Sequence, residues 1–174
     1  EKRLKVKVNP DKTKVGSPLR LKFLGFSLGV DRNGAYARPA KQSQQRVKKT
    51  LKLLTKRNRG VSLTRMFEEI QQKMRGWLQY YLIGKLTGFT QRLDQWLRAR
   101  IRQYIWKQWK KLKTKVTNLQ RLGLSYRDAY VFASTRKGYW RTAHSKTLSY
   151  SLTNRKLEHL GLINLSKTLR SIQK

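Results

Sequence analysis

The spacing of hydrophobic positions changes near residue 40 of the chain. Before that point apolar residues alternate with polar ones in two runs, and a period of two is typical of β-strands. The first run covers residues 4–8, and the second consists of Leu24, Phe26, Leu28 and Val30. A turn at residues 31–34 separates a predicted strand over residues 21–30 from a returning strand over residues 35–38, which indicates a β-hairpin. Strands this short need a larger sheet or helices to pack on.

From residue 41 onward the spacing becomes helical. A first helix is predicted over about residues 43–57 and ends at Asn58-Arg59-Gly60, because glycine tolerates the left-handed conformation that follows a helix. A second helix is predicted to begin at the N-cap residue Ser62 and to close near Gly84. Its apolar residues recur at intervals of four and three, which is the repeat of one helix face. These residues are Leu63, Phe67, Ile70, Met74, Trp77 and Tyr81.

A third helix is predicted from about Thr90 to about Val116. Its expected buried side contains Leu93, Leu97, Ile101, Tyr104, Ile105, Leu112 and Val116. Cations fall largely on the other side, at Arg92, Arg102, Lys107, Lys110 and Lys113. A helix with one apolar and one cationic side can pack on a core and bind phosphate groups at the same time.

Residues 117–174 are less regular. Asn118 is predicted to cap a short helix that stops at Gly123, and residues 125–128 have the capping-box pattern that opens another. Residues 134–141 form a predicted loop rich in donors and rings. The predicted fold class is therefore mainly α: a three-helix domain at residues 41–116, preceded by a small β piece at residues 1–40 and followed by a small irregular helical segment at residues 117–174.

Charge narrows the choice of partner. The chain has 42 Lys and Arg against 8 Asp and Glu, a formal net charge of +34 on 174 residues. Residues 41–115 hold 21 of these cations and only three acids, Glu68, Glu69 and Asp94. A folded protein tolerates such self-repulsion best when a polyanion neutralises it. Cations interleaved with five Trp, eight Tyr and five Phe are the ingredients of nucleic-acid binding.

The sequence offers no convincing catalytic or metal site. Cysteine is absent, and His144 and His159 lack further ligands at suitable spacing. The adjacent acids Glu68 and Glu69 point about 100° apart on a helix, so they do not form the paired carboxylates of two-metal chemistry. No phosphate-binding glycine loop and no apolar run of membrane-spanning length is present. We therefore expect no catalytic residue, no metal and no enzymatic activity in this stretch alone.

Several motifs favour binding, each with a plainer alternative. Arg57 and Arg59 bring two guanidiniums to a helix end, or else they are ordinary surface charge beside a C-cap. Gly76 costs about 1 kcal/mol against alanine in a helix, which indicates a close approach by another helix or by nucleic acid. Trp77 and Tyr81 are expected in the core, because they lie on the apolar stripe.

Two groups of aromatic residues have two possible interpretations each. Trp106 and Trp109 lie among lysines and form either a binding face or, for at least one of them, part of the core. Residues 136–141 are the best single candidate for direct contact with nucleic acid. The alternative is a turn whose Trp140 merely fills the core.

The order of these motifs resembles that of group II intron-encoded reverse transcriptases. Residues 8–13 and 22–26 look like the last palm motifs of that family. Residues 57–60, 75–77, 80–81 and 96–107 look like its maturase domain, also called X or thumb. Residues 135–141, 143–145 and 161–162 are similar to the C-terminal DNA-binding segment of bacterial class C members. The polymerase carboxylates and the endonuclease of the family have no counterpart in this sequence, which therefore looks like the C-terminal part of such a protein.

The resemblance implies binding of group II intron RNA, target DNA and the RNA/DNA template–primer duplex, with roles in splicing and retrohoming. It implies RNA-directed DNA polymerase activity for a full-length protein, Mg²⁺ for that polymerase and for the intron ribozyme, and a bacterial cytoplasmic location without membrane contact. The expected nucleic-acid-binding residues are Lys48, Lys49, Lys52, Lys56, Arg57, Arg59, Arg75, Arg98, Arg102, Lys107, Lys110, Arg136, Lys137, Tyr139, Trp140 and Arg141. The alternatives are a stand-alone structural RNA-binding protein of ribosomal type and a DNA-binding regulator. The regulator is disfavoured because no short recognition helix stands out.

Overall fold

The computed structural model describes residue 9 and residues 16–173, and over these it is mainly helical with a small sheet in front. The predicted fold class is therefore confirmed, while the strand predicted over residues 4–8 and most of the first palm-like motif lie outside the described residues. The elements are β1 (Lys22–Phe23), β2 (Phe26–Asp31), β3 (Gly34–Pro39), α1 (Lys41–Leu54), α2 (Leu63–Tyr80), α3 (Thr87–Gln108), α4 (Leu112–Arg121), α5 (Tyr126–Ala133), α6 (Tyr139–Ala143), α7 (Lys146–Ser151), α8 (Asn154–His159) and α9 (Leu165–Ile172).

The sheet is antiparallel in the order β1-β2-β3, and the predicted hairpin is confirmed by the pairing of Asp31 with Gly34. The single strand predicted over residues 21–30 is wrong, because Leu24 and Gly25 have φ angles of 46° and 79° and turn the chain between β1 and β2. The predicted apolar face is also only partly buried. Phe26 packs on Tyr81, with ring centroids 4.8 Å apart, but Val30 is 62 % exposed because the helices cover only the Phe26 end of the sheet.

The first two helices lie where they are predicted, although α2 ends at Tyr80, four residues before its predicted end near Gly84. α1 ends three residues earlier than predicted, at Leu54, and the next hydroxyl, that of Thr55, donates to the Leu51 carbonyl. Gly60 adopts a φ of 69°, as its predicted place after a helix requires. Ser62 caps α2 by accepting a hydrogen bond from the Arg65 amide. The apolar stripe of α2 faces the core as predicted, with Tyr81 buried just beyond the helix and Trp77 partly buried.

The third helix is shorter than predicted. α3 ends at Gln108, residues 109–111 break the helix, and α4 begins at Leu112. The break redirects the chain so that α4 packs against α5 instead of continuing along the axis of α3. Leu112 is consequently 41 % exposed instead of buried, and Asn118 lies inside α4 instead of capping a new helix.

The C-terminal segment packs along α3. Ser125 caps α5 as predicted. The predicted loop over residues 134–141 ends at Gly138, because α6 begins at Tyr139. α6 and α9 pack against α3, and α9 also reaches α2. Because α1, α6 and α9 all pack on α3, residues 101–106 are buried all around the helix. Trp106 is part of this core, and Trp109 is partly buried against it.

Candidate nucleic-acid interface

A groove runs between α1 and α3, formed by three adjoining clefts that share their walls. It is named here the α1–α3 groove. The cations that line it are Lys41, Lys48, Lys49, Lys52, Lys56, Arg57, Arg92 and Arg100. No carboxylate lines this groove among the residues that the structure describes. A concave surface of one charge focuses the electrostatic field and attracts a polyanion.

The lysines of the groove come from one side of α1. Positions 48 and 52 are four residues apart, and residues at this spacing lie one above another on a helix, while Lys56 follows just beyond the end of α1. They flank Val47 and Leu51, which are buried and fix which way the helix faces. The apolar pattern of α1 therefore orients its lysines towards α3.

Trp96 supports two cations of the groove. The Lys48 ammonium lies 5.2 Å from the centroid of the Trp96 ring, and the Arg100 guanidinium carbon lies 5.9 Å from it. Cations at this distance are attracted by the negative face of an aromatic ring. Trp96 thus joins a lysine of α1 to an arginine of α3.

Arg100 connects α3 to the end of α1. Its Nε donates to the Thr55 hydroxyl at 3.0 Å, and its Nη2 donates to the carbonyls of Lys52 and Thr55, each at 3.0 Å. These acceptors belong to the last turn of a helix, where carbonyls lack helical partners. Burial, aided by the nearby charge of Arg57, lowers the pKa of Arg100, yet a guanidinium stays charged at neutral pH.

Arg100 and Trp96 were missed as candidate residues by the sequence interpretation. The spacing of four residues between them on one helix was the available signal, because it places the ring and the guanidinium together. Their position facing α1 depends on how α3 packs, which no local pattern reveals.

Tyr139 brings predicted residues from three places together. The Arg57 guanidinium carbon lies 4.8 Å and the Lys107 ammonium 5.4 Å from the centroid of its ring. The next residue, Trp140, reaches the wall of the α1–α3 groove beside Lys49 and is 43 % exposed. Trp140 therefore does not fill the core, which was the alternative interpretation.

Arg59 is engaged within the protein. Its Nη1 donates to the Leu54 carbonyl at 2.9 Å and lies 2.7 Å from Glu69 Oε2. Glu69 Oε2 accepts no well-aligned hydrogen bond, so this contact is an ion pair. The Arg59 guanidinium, helped by Arg65, lowers the pKa of Glu69, and Glu69 in turn raises the pKa of Arg59. This arrangement favours the plainer interpretation of Arg59 as part of a helix end.

Arg102 is not on an exposed cationic side of α3, so that prediction of its placement is wrong. The residue is 9 % exposed, and its guanidinium donates to the Leu152 carbonyl at 3.0 Å and to Asn154 Oδ1 at 3.2 Å. Burial lowers its pKa. The physical reason is that the C-terminal segment covers this side of α3, so Arg102 holds that segment in place.

The other candidates lie away from the α1–α3 groove. Arg75 is exposed on α2, Arg98 is half-buried on α3, and Lys110 is exposed in the break after α3. Arg136, Lys137 and Arg141 are exposed around the start of α6, where Lys137 lines a separate cleft between α5 and α7. These residues are solvent-accessible but are not brought into one surface with the groove.

Gly76 is open to solvent. A Cβ at this position meets no atom within 4 Å, so the expected close approach by another helix is wrong for the described part of the chain. The described residues also contain no group of three or more His, Cys, Asp or Glu that could hold a metal ion. Among them, no helix is both long and apolar enough to span a bilayer.

The stretch of sequence that forms the α1–α3 groove matches a known protein family. Residues 44–123 match the family described as group II intron, maturase-specific domain. The matched stretch starts within α1 and ends just after α4, so it contains nearly all of both groove-forming helices. Residues 44–123 are therefore similar to the maturase-specific domain of group II intron proteins, which supports the resemblance that the motifs indicated. No curated protein matches the chain.

Proposed function

We propose that the chain binds group II intron RNA in the α1–α3 groove and thereby assists splicing. The maturase-specific domain connects the chain with group II intron splicing. The observation that carries the proposal is the charge of the groove within that domain: eight cations line it without a carboxylate among the described lining residues. Phosphate contacts of this kind release counterions and supply most of the affinity for nucleic acid.

The protein's contribution is to hold RNA structure. Lysines on a helix follow a phosphate backbone as mobile point charges, whereas Arg100 is fixed by its hydrogen bonds to the end of α1. An array of cations at fixed positions favours one arrangement of RNA phosphates over others. The splicing reaction itself is assigned to the RNA and its Mg²⁺ ions.

A second role is proposed for the same surface in a protein that also carries a polymerase. The β2–β3 hairpin, which is similar to the end of a reverse transcriptase palm, packs at the end of α2 through contacts of Phe26 with Tyr80 and Tyr81. This contact supports a thumb that is fixed to a palm and grips a template–primer duplex during reverse transcription. Binding of target DNA during retrohoming is assigned to the exposed cations and rings of residues 134–141. The ribosomal-type alternative has no comparable support, because the matched family is a maturase domain.

A salt series tests the proposal. The triple variant Lys48→Gln, Lys49→Gln, Lys52→Gln removes three charges from the α1–α3 groove. We expect the log–log slope of intron RNA affinity against salt to become shallower by about three units, roughly one per lost phosphate contact.

The matched control removes three exposed cations outside the groove, in the variant Arg32→Gln, Lys113→Gln, Arg121→Gln. Its net charge equals that of the groove variant. A much smaller change in slope is expected for it. Equal changes in the two variants contradict the proposal, because only total charge then matters.

A further inference from the structure

Trp140 is the most unusual member of the α1–α3 groove wall. It is a large aromatic residue that is 43 % exposed, and it lies in the cleft with Lys49, Lys52 and Arg100. This part of the groove is named here the Trp140 cleft. An exposed indole ring leaves apolar surface in contact with water. A partner that covers this ring therefore gains binding free energy from the burial of that surface.

The two indole rings of the cleft, those of Trp96 and Trp140, differ in the groups that contact them. Trp96 already holds the cations of Lys48 and Arg100 near its ring. The one aromatic ring of the described residues that pairs with Trp140 is that of His144, with centroids 4.3 Å apart in an edge-to-face arrangement, and no cation of the described residues lies over Trp140. Trp140 therefore retains ring surface for a further stacking partner.

The cleft also contains a side-chain amide, that of Gln103, whose nitrogen has no hydrogen-bond acceptor among the described residues. Gln103 is 8 % exposed, and its Oε1 accepts a long contact of 3.4 Å from Arg100 Nη1. Its amide nitrogen donates to no acceptor among the described residues. An amide donor beside a stacking ring suits the polar edge of a nucleobase.

We infer that the Trp140 cleft receives one unpaired nucleotide of the bound RNA. The base stacks on Trp140, its edge meets the Gln103 amide, and the adjoining phosphates lie on Lys49 and Lys52. The nucleotide is unpaired because bases in a duplex are covered by their neighbours, whereas an unstacked base has a free face for a protein ring. The inference rests on the proposed RNA binding and adds the class of ligand.

The site is built from two parts of the chain. Lys49 and Lys52 come from α1 and Gln103 from α3, whereas Trp140 comes from α6. α6 is held against α3, and the neighbouring Tyr139 lies between the charges of Arg57 and Lys107. The binding site for the base therefore forms only when the C-terminal segment packs on the maturase domain.

The test separates the base from its phosphate. The probes are an RNA hairpin with one bulged adenosine and the same hairpin with an abasic bulge, bound by the wild-type chain and by Trp140→Ala. We expect the wild type to bind the abasic hairpin about 5- to 150-fold more weakly than the adenosine hairpin. Trp140→Ala is expected to bind the two hairpins equally, since the ring that reads the base is gone.

Two further variants keep the test decisive. Trp140→Phe retains a smaller ring and is expected to keep part of the discrimination, which excludes misfolding as the cause of its loss. Tyr150→Ala removes another exposed aromatic of the C-terminal segment, 77 % exposed and outside the groove, and is expected to discriminate like the wild type.

A Trp140→Ala variant that still distinguishes the two hairpins as the wild type does overturns the inference. In that case the salt slope on the abasic hairpin separates the two proposals. A slope that still depends on Lys48, Lys49 and Lys52 leaves the proposed groove function standing. A slope independent of them rejects the groove function together with the nucleotide site.

Discussion

Charged side chains of α3 that face the C-terminal helices differ in burial and hydrogen bonding from the charged side chains that line the α1–α3 groove. At the C-terminal junction, Asp94 is 3 % exposed and its two oxygens accept hydrogen bonds from the Leu165 amide, the Ser166 amide and the Ser166 hydroxyl at 2.9–3.0 Å. Arg102 is buried at the same junction and donates to a carbonyl and an amide oxygen. Each charge is thus satisfied by neutral polar groups, and such charge-assisted bonds are stronger than neutral ones.

On the α1 side, the lysines of the α1–α3 groove stay exposed and meet no acid among the described residues. Arg100 and Arg102 make the contrast sharp, because they are two residues apart on one helix. Arg102 is enclosed by the C-terminal segment, while Arg100 borders an open cleft. Burial and hydrogen bonds make the charge of Arg102 a structural link, and Arg100 combines such a link with a place at the groove wall. The exposed groove lysines have no counter-charge among the described residues and are therefore available to a polyanion.

The largest effect on stability is expected at the junction. Asp94→Ala leaves the first amides of α9 without their acceptor inside the protein, and we expect the free energy of unfolding to fall by about 3 kcal/mol. Urea unfolding followed by circular dichroism measures it. Asp128→Ala, which removes an exposed acid near the start of α5, is the control and is expected to cost about 1 kcal/mol or less. A similar loss in the two variants contradicts the special role of the junction.

The two arginines are expected to differ in their effect on RNA binding. Arg102→Gln is expected to lower the free energy of unfolding by about 2 kcal/mol, because buried acceptors lose their charged donor. It is expected to leave the salt slope of RNA binding unchanged. Arg100→Gln is expected to reduce that slope by about one unit, measured by filter binding over a salt series. It is also expected to lower the free energy of unfolding, because the acceptors at the end of α1 lose their donor. A reduced slope for Arg102→Gln would mean that this side of α3 also contacts RNA.

A smaller effect is expected on α2, at Gly76. A Cβ has open space there, so Gly76→Ala is expected to raise the free energy of unfolding by about 1 kcal/mol through helix propensity alone. Thermal unfolding measures the change. The same variant addresses the nucleic-acid alternative at this position: a more stable protein that binds RNA more weakly indicates a close approach to this backbone, and unchanged binding rejects it.

The smallest effect is a pH dependence at the Arg59–Glu69 pair. The guanidinium lowers the pKa of Glu69 below its ordinary value of 4.5, so the pair stabilises the fold above the ordinary pKa and the contribution is lost as pH falls through the lowered pKa. Replacing Glu69 by Gln is expected to flatten the loss of stability as the pH falls below the ordinary pKa of 4.5. The midpoint of urea unfolding, measured at several pH values below the ordinary pKa of Glu69, reports this change. If the variant loses stability with falling pH as the wild type does, the ion pair does not contribute to stability.

The elements whose pattern is local were predictable from the sequence. The apolar stripe of α2, the cap at Ser62 and the left-handed Gly60 follow from residue type and spacing alone. The groove lysines of α1 were also predictable, because two buried residues, Val47 and Leu51, fix the face that the helix presents.

What could not be predicted depends on contacts between distant parts of the chain. The burial of Arg102 and Asp94 requires the C-terminal segment to cover α3, and the two sides of a helix look equally polar before the covering element is known. The break at residues 109–111 arises for the same reason, since α4 turns away to pack on α5. Arg100 became a groove residue only through the end of α1, some 45 residues earlier in the chain.

The most direct test of the central claim is filter binding of the wild-type chain to a group II intron RNA and to a structured RNA of equal length over a salt series. If the groove recognises RNA shape with fixed cations, the preference for the intron persists at high salt, where counterion release contributes little. Equal affinities that fall together as salt rises would contradict the account, because the groove would then act only as a polycation.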